Sequence, residues 1–137
     1  MRNVVVDTNI LIRALLKPDS SDGRVVRRVF DGELKLWYSE GLLYEFIRVL
    51  SYPRLKKFFI TKERLDVFLE LLVAVGILIS PVSTKLCRDP DDNEVLGLAL
   101  AASADAPVYL ISADKDILAL KGEVERVHIL TPQEFLK

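Results

Sequence analysis

The chain has 137 residues, half of them hydrophobic and 28% charged, which suits one globular domain able to bury roughly two thirds of its unfolded surface. A formal net charge of -1 excludes a nucleic-acid binder that works by bulk positive charge. A single cysteine, Cys87, and a single histidine, His128, exclude an intrachain disulfide and a Cys/His zinc site.

The elements read as follows in chain order. Val4, Val5 and Val6 are apolar without alternation, the pattern of a central parallel strand covered on both faces, and the run stops on Asp7. Asn9 to Leu16 is a short helix, Lys17 to Gly23 a loop by its turn residues, and Arg24 to Phe30 a helix ending near Gly32. Leu34 to Tyr38 is a second strand. From the N-cap residue Ser39 a helix runs to about Ser51, with Leu42, Leu43, Phe46, Val49 and Leu50 at helical spacing, and Pro53 stops it. Thr61 caps the next helix, Leu65 to Val75, whose Leu65, Phe68, Leu69, Leu72 and Val73 face a core.

Gly76 closes that helix, and Ile77 to Ile79 is a third, short strand. Asp89-Pro90-Asp91-Asp92 opens a helix running through Glu94, Leu96, Leu98, Ala99 and Ala102, with the proline where its missing N–H costs little. Val108 to Ile111 is a fourth strand, Lys115 to Leu120 a short helix, and Arg126 to Leu130 a fifth strand. Thr131-Pro132-Gln133-Glu134 begins a capped final helix. Parallel strands joined by right-handed helical crossovers make this an α/β fold, a three-layer α/β/α sandwich around a parallel sheet of about five strands, in one domain over residues 1–137. The start of the chain does not resemble a signal peptide, and no apolar run approaches the roughly 20 residues that span a bilayer. A reducing cytoplasm and no membrane partner are therefore expected.

On this frame the acids converge. Asp7 ends the first strand, Asp114 and Asp116 follow the fourth, and Asp91, Asp92 and Glu94 open the helix before it. If the first and fourth strands are neighbours, the crevice outside their carboxyl ends is the topological switch point, where α/β folds bind ligands. Glu45 borders the apolar stripe of its helix beside Leu42 and Val49, with Gly41 expected to leave open space one turn earlier. Each acid has a plainer reading. Asp7 can cap the Asn9 helix, Asp91 or Asp92 can cap theirs, Asp114 can be a turn residue and Glu45 a surface charge. Several carboxylates aimed at one crevice without matching bases repel one another, and a divalent cation stabilises that arrangement most simply. Oxygen donors without histidine or thiolate favour Mg²⁺ or Mn²⁺.

The stretches "VDTNIL", "SEGLLYEFIRVL", "RDPDDNEVLGLALAASADAPVYLISADKDIL" and "ILTPQEFL", in this order and spacing, resemble the PIN-domain ribonucleases. The resemblance extends over almost the whole chain and is greatest to the single-domain, toxin-like members related to the VapC toxins of toxin–antitoxin pairs. It implies a metal-dependent endoribonuclease acting on single-stranded RNA, with Asp7, Glu45, Asp92 and Asp114 as the acids. It also implies Asn9 or Thr8 as the small polar position beside the first acid, Ser112 in a Ser-x-Asp element, and Asp116 as a supplementary acid. Aligned on the small-residue helix, Glu94 competes with Asp92 for the third place. The two are two residues apart and cannot both point inward equally well. Asp92 is the expected ligand, with Asp91 and Glu94 outside it or as alternate ligands.

Arg48, Arg54, Lys56 and Lys57, near the end of the Glu45 helix, are the expected RNA contacts. An antitoxin protein is an expected partner, as the resemblance implies, and so is a second copy of the chain, since the Leu65–Val75 helix is more apolar than a small core requires. Two other enzyme classes put acids at strand ends. A phosphoryl-accepting receiver domain needs a lysine after a late strand, which "VHILTP" does not offer, and an Asp-x-Asp phosphatase does not read Asp7-Thr8-Asn9. The alternative to an enzyme is a non-catalytic metal- or RNA-binding or protein-interaction module on the same fold.

Overall fold

The computed structural model describes residues 1–137. Its elements are β1 (Arg2–Val6), α1 (Thr8–Leu16), α2 (Ser21–Phe30), β2 (Leu34–Tyr38), α3 (Glu40–Leu50), a 3-10 helix (Pro53–Phe58), α4 (Lys62–Val75), β3 (Ile77–Leu78), α5 (Pro90–Ala102), β4 (Val108–Ile111), α6 (Lys115–Leu118), β5 (Val127–Leu130) and α7 (Pro132–Leu136). The five strands form one sheet in the order β3-β2-β1-β4-β5, and every pair is parallel. The order reverses at β1, so the β1/β4 boundary is the switch point.

Val4, Val5 and Val6 are fully buried, as an unalternating run in the middle of a covered parallel sheet must be. They share one core with Leu36, Leu96, Leu98, Leu110 and Ile129. Each such side chain contributes about 1.5–3 kcal/mol by leaving water. Phe68 of α4 joins this core by stacking on Phe46 at 5.6 Å and meeting Phe30 edge-on at 5.4 Å, an arrangement aromatic quadrupoles favour.

Capping chemistry fixes several boundaries. Ser39, Thr61 and Thr131 each accept an N–H from the first turn of their helix, and Thr131 with Glu134 closes a full capping box, as their residue types predict. The expected loop through Gly23 is shorter than read, because the Ser20 hydroxyl accepts from Gly23 N–H and starts α2 at Ser21. The 3-10 helix was not expected, since Pro53 ends α3 and at the same time opens a new tight turn. Val73 points outward, 51% exposed, where a core place was expected, while Phe68 and Leu72 are buried. The fifth strand begins at Val127, because Arg126 takes a left-handed φ of 66°, and the helix after β4 stops at Leu118.

The segment before α5 lies directly on it: the Val82 N–H donates to the Gly97 carbonyl at 3.0 Å, and a Cβ on Gly97 would sit 2.1 Å from the Val82 oxygen. Only glycine allows this approach. Gly97→Val is expected to lower stability by about 1–3 kcal/mol through forced separation of the two segments, read as a lower urea midpoint with an unchanged slope.

Candidate metal centre

Parallel pairing of β1 with β4 puts the residues after the two strands side by side. The Asp7 N–H donates to the Ile111 carbonyl at 2.9 Å, and the Ser112 hydroxyl donates to Asp7 Oδ2 at 2.7 Å. The same Ser112 oxygen accepts the Asp114 N–H at 3.0 Å. Asp114 Oδ1 in turn accepts the N–H groups of Asp116 at 2.8 Å and Ile117 at 3.3 Å. One oxygen of Asp114 therefore caps α6, and its carboxylate is held at the sheet end by backbone donors.

Asp7 occupies the N-cap position of α1 but makes no side-chain cap hydrogen bond. The capping reading is therefore overturned: its carboxylate turns to Ser112 and lies 6% exposed. Carboxylate oxygens of Asp92, Asp114 and Asp116 lie within 4.8 Å of one another. Asp92, in the first turn of α5, is 8% exposed, because Asp89 takes the cap by accepting from Asp91 N–H. Glu45 approaches from α3, where its Oε2 accepts the Thr8 hydroxyl at 3.1 Å.

The electrostatics follow from this crowding. Burial pushes Asp92 up to about 7, and repulsion from Asp114, Asp89, Asp7 and Asp116 adds to it. Glu45 is pushed up to about 7, by burial first and then by Asp91 and Asp7, against the Thr8 hydrogen bond and Arg48. Asp7 is raised by burial in spite of its Ser112 bond. No lysine or arginine forms an ion pair with any of Asp7, Glu45, Asp92 or Asp114. Burial and the surrounding acids also push the Cys87 thiol up, toward its protonated form. His128 lies on β5 beside Tyr109. The donor set is thus all oxygen and short of positive charge, which fits a hard divalent cation.

The remaining expected residues are placed elsewhere. Glu94 turns away from the three aspartates, accepting the Ser39 hydroxyl at 2.9 Å. It also fills the room at Gly41, where a Cβ would meet its carboxylate at 2.6 Å, so the space Gly41 provides serves Glu94 and not Glu45. Asp91 pairs with Arg48 at 3.1 Å. Asn9 is exposed on the first turn of α1. Arg54, Lys56 and Lys57 stand exposed on the 3-10 helix, with Arg54 over Tyr52 and Lys57 over Phe58. Two neighbours were not foreseen. Arg88 reaches Asp116 at 3.8 Å, which a loop residue far from Asp116 in sequence does not announce. Arg13 lies one turn beyond Asn9 on α1, a spacing that could have singled it out.

A family model described as PIN domain matches residues 3–116. The chain belongs to the PIN domain family. Over 142 aligned residues this PIN domain is 29% identical to the uncharacterized protein MJ1680 of Methanocaldococcus jannaschii, with 98% of this chain and 89% of that protein covered. It also resembles a chain in the crystal structure of VapBC2 from Rickettsia felis bound to a DNA fragment from their promoter, with a TM-score of 0.60 and 14% identity over 94% of this chain and 98% of that one. At that identity the likeness is one of fold. No helix is long and apolar enough to cross a membrane.

The raised acids set the sign of a pH effect. Their protonated forms are the ones the metal-free fold accommodates, so their contribution is complete below about pH 4 and is lost as pH rises through about 7. In chelator, the stability of the wild type relative to Asp92→Asn should fall over this range. Excess Mg²⁺ should restore it at the alkaline end, measured by chemical denaturation; a difference that rises with pH would contradict the site's electrostatics.

Proposed function

We propose that this PIN domain is a Mg²⁺- or Mn²⁺-dependent endoribonuclease that hydrolyses phosphodiester bonds of single-stranded RNA. The observation that carries the reading is the set of buried or half-buried carboxylates at the β1/β4 switch point with no basic partner among them. Asp7, Asp92 and Asp114 would hold the cation, with Asp116 at the outer side of the group. When bound, such a cation supplies charge stabilisation for a phosphate and lowers the pKa of water.

The chain's own residues do the rest. Ser112, by donating to Asp7, keeps that carboxylate turned into the crevice. Thr8 holds Glu45, which orients the attacking water. The water oxygen bonds to phosphorus as the bond to the 3′ oxygen breaks, and that oxygen leaves with a proton, giving a 5′-phosphate and a 3′-hydroxyl. Glu94, bonded to Ser39, takes a structural part.

The likeness to a chain of VapBC2 supports a place as the toxin of a toxin–antitoxin pair with a protein antitoxin as partner. Self-association is supported by α4, where Val67 is 55% exposed on the same helix as Val73.

Purified protein should cut a labelled single-stranded RNA with Mg²⁺ or Mn²⁺ and stop in chelator. Asp92→Asn is expected to lower the rate by about 100-fold or more, and Ser112→Ala to weaken metal affinity by about tenfold, as loss of a ligand-orienting bond does. Glu94→Gln should stay within a few-fold of wild type. Intact cleavage by Asp92→Asn together with its loss in Glu94→Gln would exchange the two roles. Metal and RNA binding without turnover would identify a binding module.

A further inference from the structure

Next to the acidic centre, a cavity of about 370 Å³ opens between α1, the end of α3 and the 3-10 helix. Two helical rows lead into it. Asn9 and Arg13 on the exposed side of α1, and Lys17 at its C-cap, follow one another at four-residue spacing, beginning two residues after Asp7. Val49, which also lines the cavity, stands one turn beyond Glu45 on α3. The cavity therefore begins where the acids end.

Its lining combines two chemistries. Asn9, Arg13, Lys17 and Arg54 are polar or cationic, Leu55 and Phe58 are among the apolar residues, and no acid is among the lining residues. Lys17 and Arg54 make no ion pair, and Arg13 reaches Asp22 only at 3.7 Å. The Arg54 guanidinium lies 5.3 Å from the Tyr52 ring centre, held in place by an aromatic face and not by a carboxylate. Cations and an aromatic ring, Phe58, in one lining suit an anion that carries a flat apolar group.

We propose that this cavity is a nucleotide subsite, holding one nucleotide of the RNA strand beside the phosphate that is cut. Its base lies against Phe58 and Leu55, and its phosphate meets Arg13, Lys17 and Arg54. This assignment rests on the reading of the acidic centre as an RNA-cleaving site. The volume is near the lower end of the roughly 300–1,000 Å³ of small-ligand sites, room for one nucleotide. Stacking on an aromatic ring tolerates any base, so the subsite positions the strand and does not select its sequence.

The test is fluorescence anisotropy of a short labelled single-stranded RNA of mixed sequence, in chelator so that nothing is cut, repeated over a series of salt concentrations. The double variant Lys17→Ala/Arg54→Ala should bind about tenfold more weakly or worse, with the salt slope reduced by about 0.7, the value for one phosphate contact on a single strand. Phe58→Ala should weaken binding by about 5- to 100-fold at an unchanged slope, and Phe58→Tyr, which keeps the ring and the packing, should recover it. Lys56→Ala/Lys62→Ala removes the same charge from exposed positions outside the cavity lining and should cost less than the cavity pair.

Equal losses for the two charge pairs with a neutral Phe58→Ala overturn the proposal, as does a wild type that binds no RNA. Tighter binding of a polyglutamate peptide than of RNA, lost in the same variants, assigns the cavity to an acidic protein segment and overturns it too. Cleavage by wild type with undiminished RNA binding in the cavity variants removes the subsite and leaves the nuclease standing. Cavity-dependent binding without cleavage in Mg²⁺ or Mn²⁺ keeps the nucleotide site and removes the nuclease.

Discussion

Parallel pairing of β1 with β4 is the constraint on which the site depends. It brings Asp7 against Ile111 through a backbone hydrogen bond, and that register lets Ser112 donate to Asp7 while accepting from Asp114. Residues more than a hundred positions apart in the chain are joined here by one hydroxyl group. A one-residue slip would turn the alternating side chains of β4 to the opposite faces and carry Ser112 away from Asp7. The contacts that belong to this register alone are those at the strand ends, the Asp7 N–H to the Ile111 carbonyl and the Ser112 hydroxyl to Asp7.

The molecule separates its charges although its total is close to zero. Acids collect at the switch point, where burial and mutual repulsion raise Asp92 and Glu45 to about 7, and cations collect next to them along α1 and the 3-10 helix. Each group costs stability in isolation, since like charges at short range repel in a partly desolvated setting. Side by side, they form a surface with a place for a cation and a place for an anion. A phosphodiester strand crossing such a surface meets both.

Much of the fold was legible because periodicity and capping are local properties. Val4 to Val6, the Ser39 and Thr61 caps and the Thr131 capping box are decided by a few adjacent residues, and the structure agrees with them. Errors arose where one residue serves two neighbours. Pro53 both ends α3 and begins the 3-10 helix. Gly41 accommodates the Glu94 carboxylate, coming from a helix far away in sequence, and not open space for Glu45. Asp7 has the type and position of an N-cap, yet the hydroxyl of Ser112 competes successfully for its oxygen.

Sequence by itself determined the class of architecture and the kinds of donor the site can contain. Alternating apolar strands and amphipathic helices leave little choice but a parallel sheet covered by helices, and a chain with one histidine and one cysteine must draw most donors of a crowded crevice from its carboxylates. Tertiary structure alone decided which acids meet. Asp92 joins Asp114 and Asp116 while Glu94, two residues on, is directed to Ser39, because a helix turns each successive residue through about 100° and only the docking of α5 on the sheet fixes which direction is inward. The cationic cavity belongs to the same class of fact: Arg13 and Lys17 are far from Arg54 in the chain, and only the packing of α1 beside the 3-10 helix brings them to one cavity.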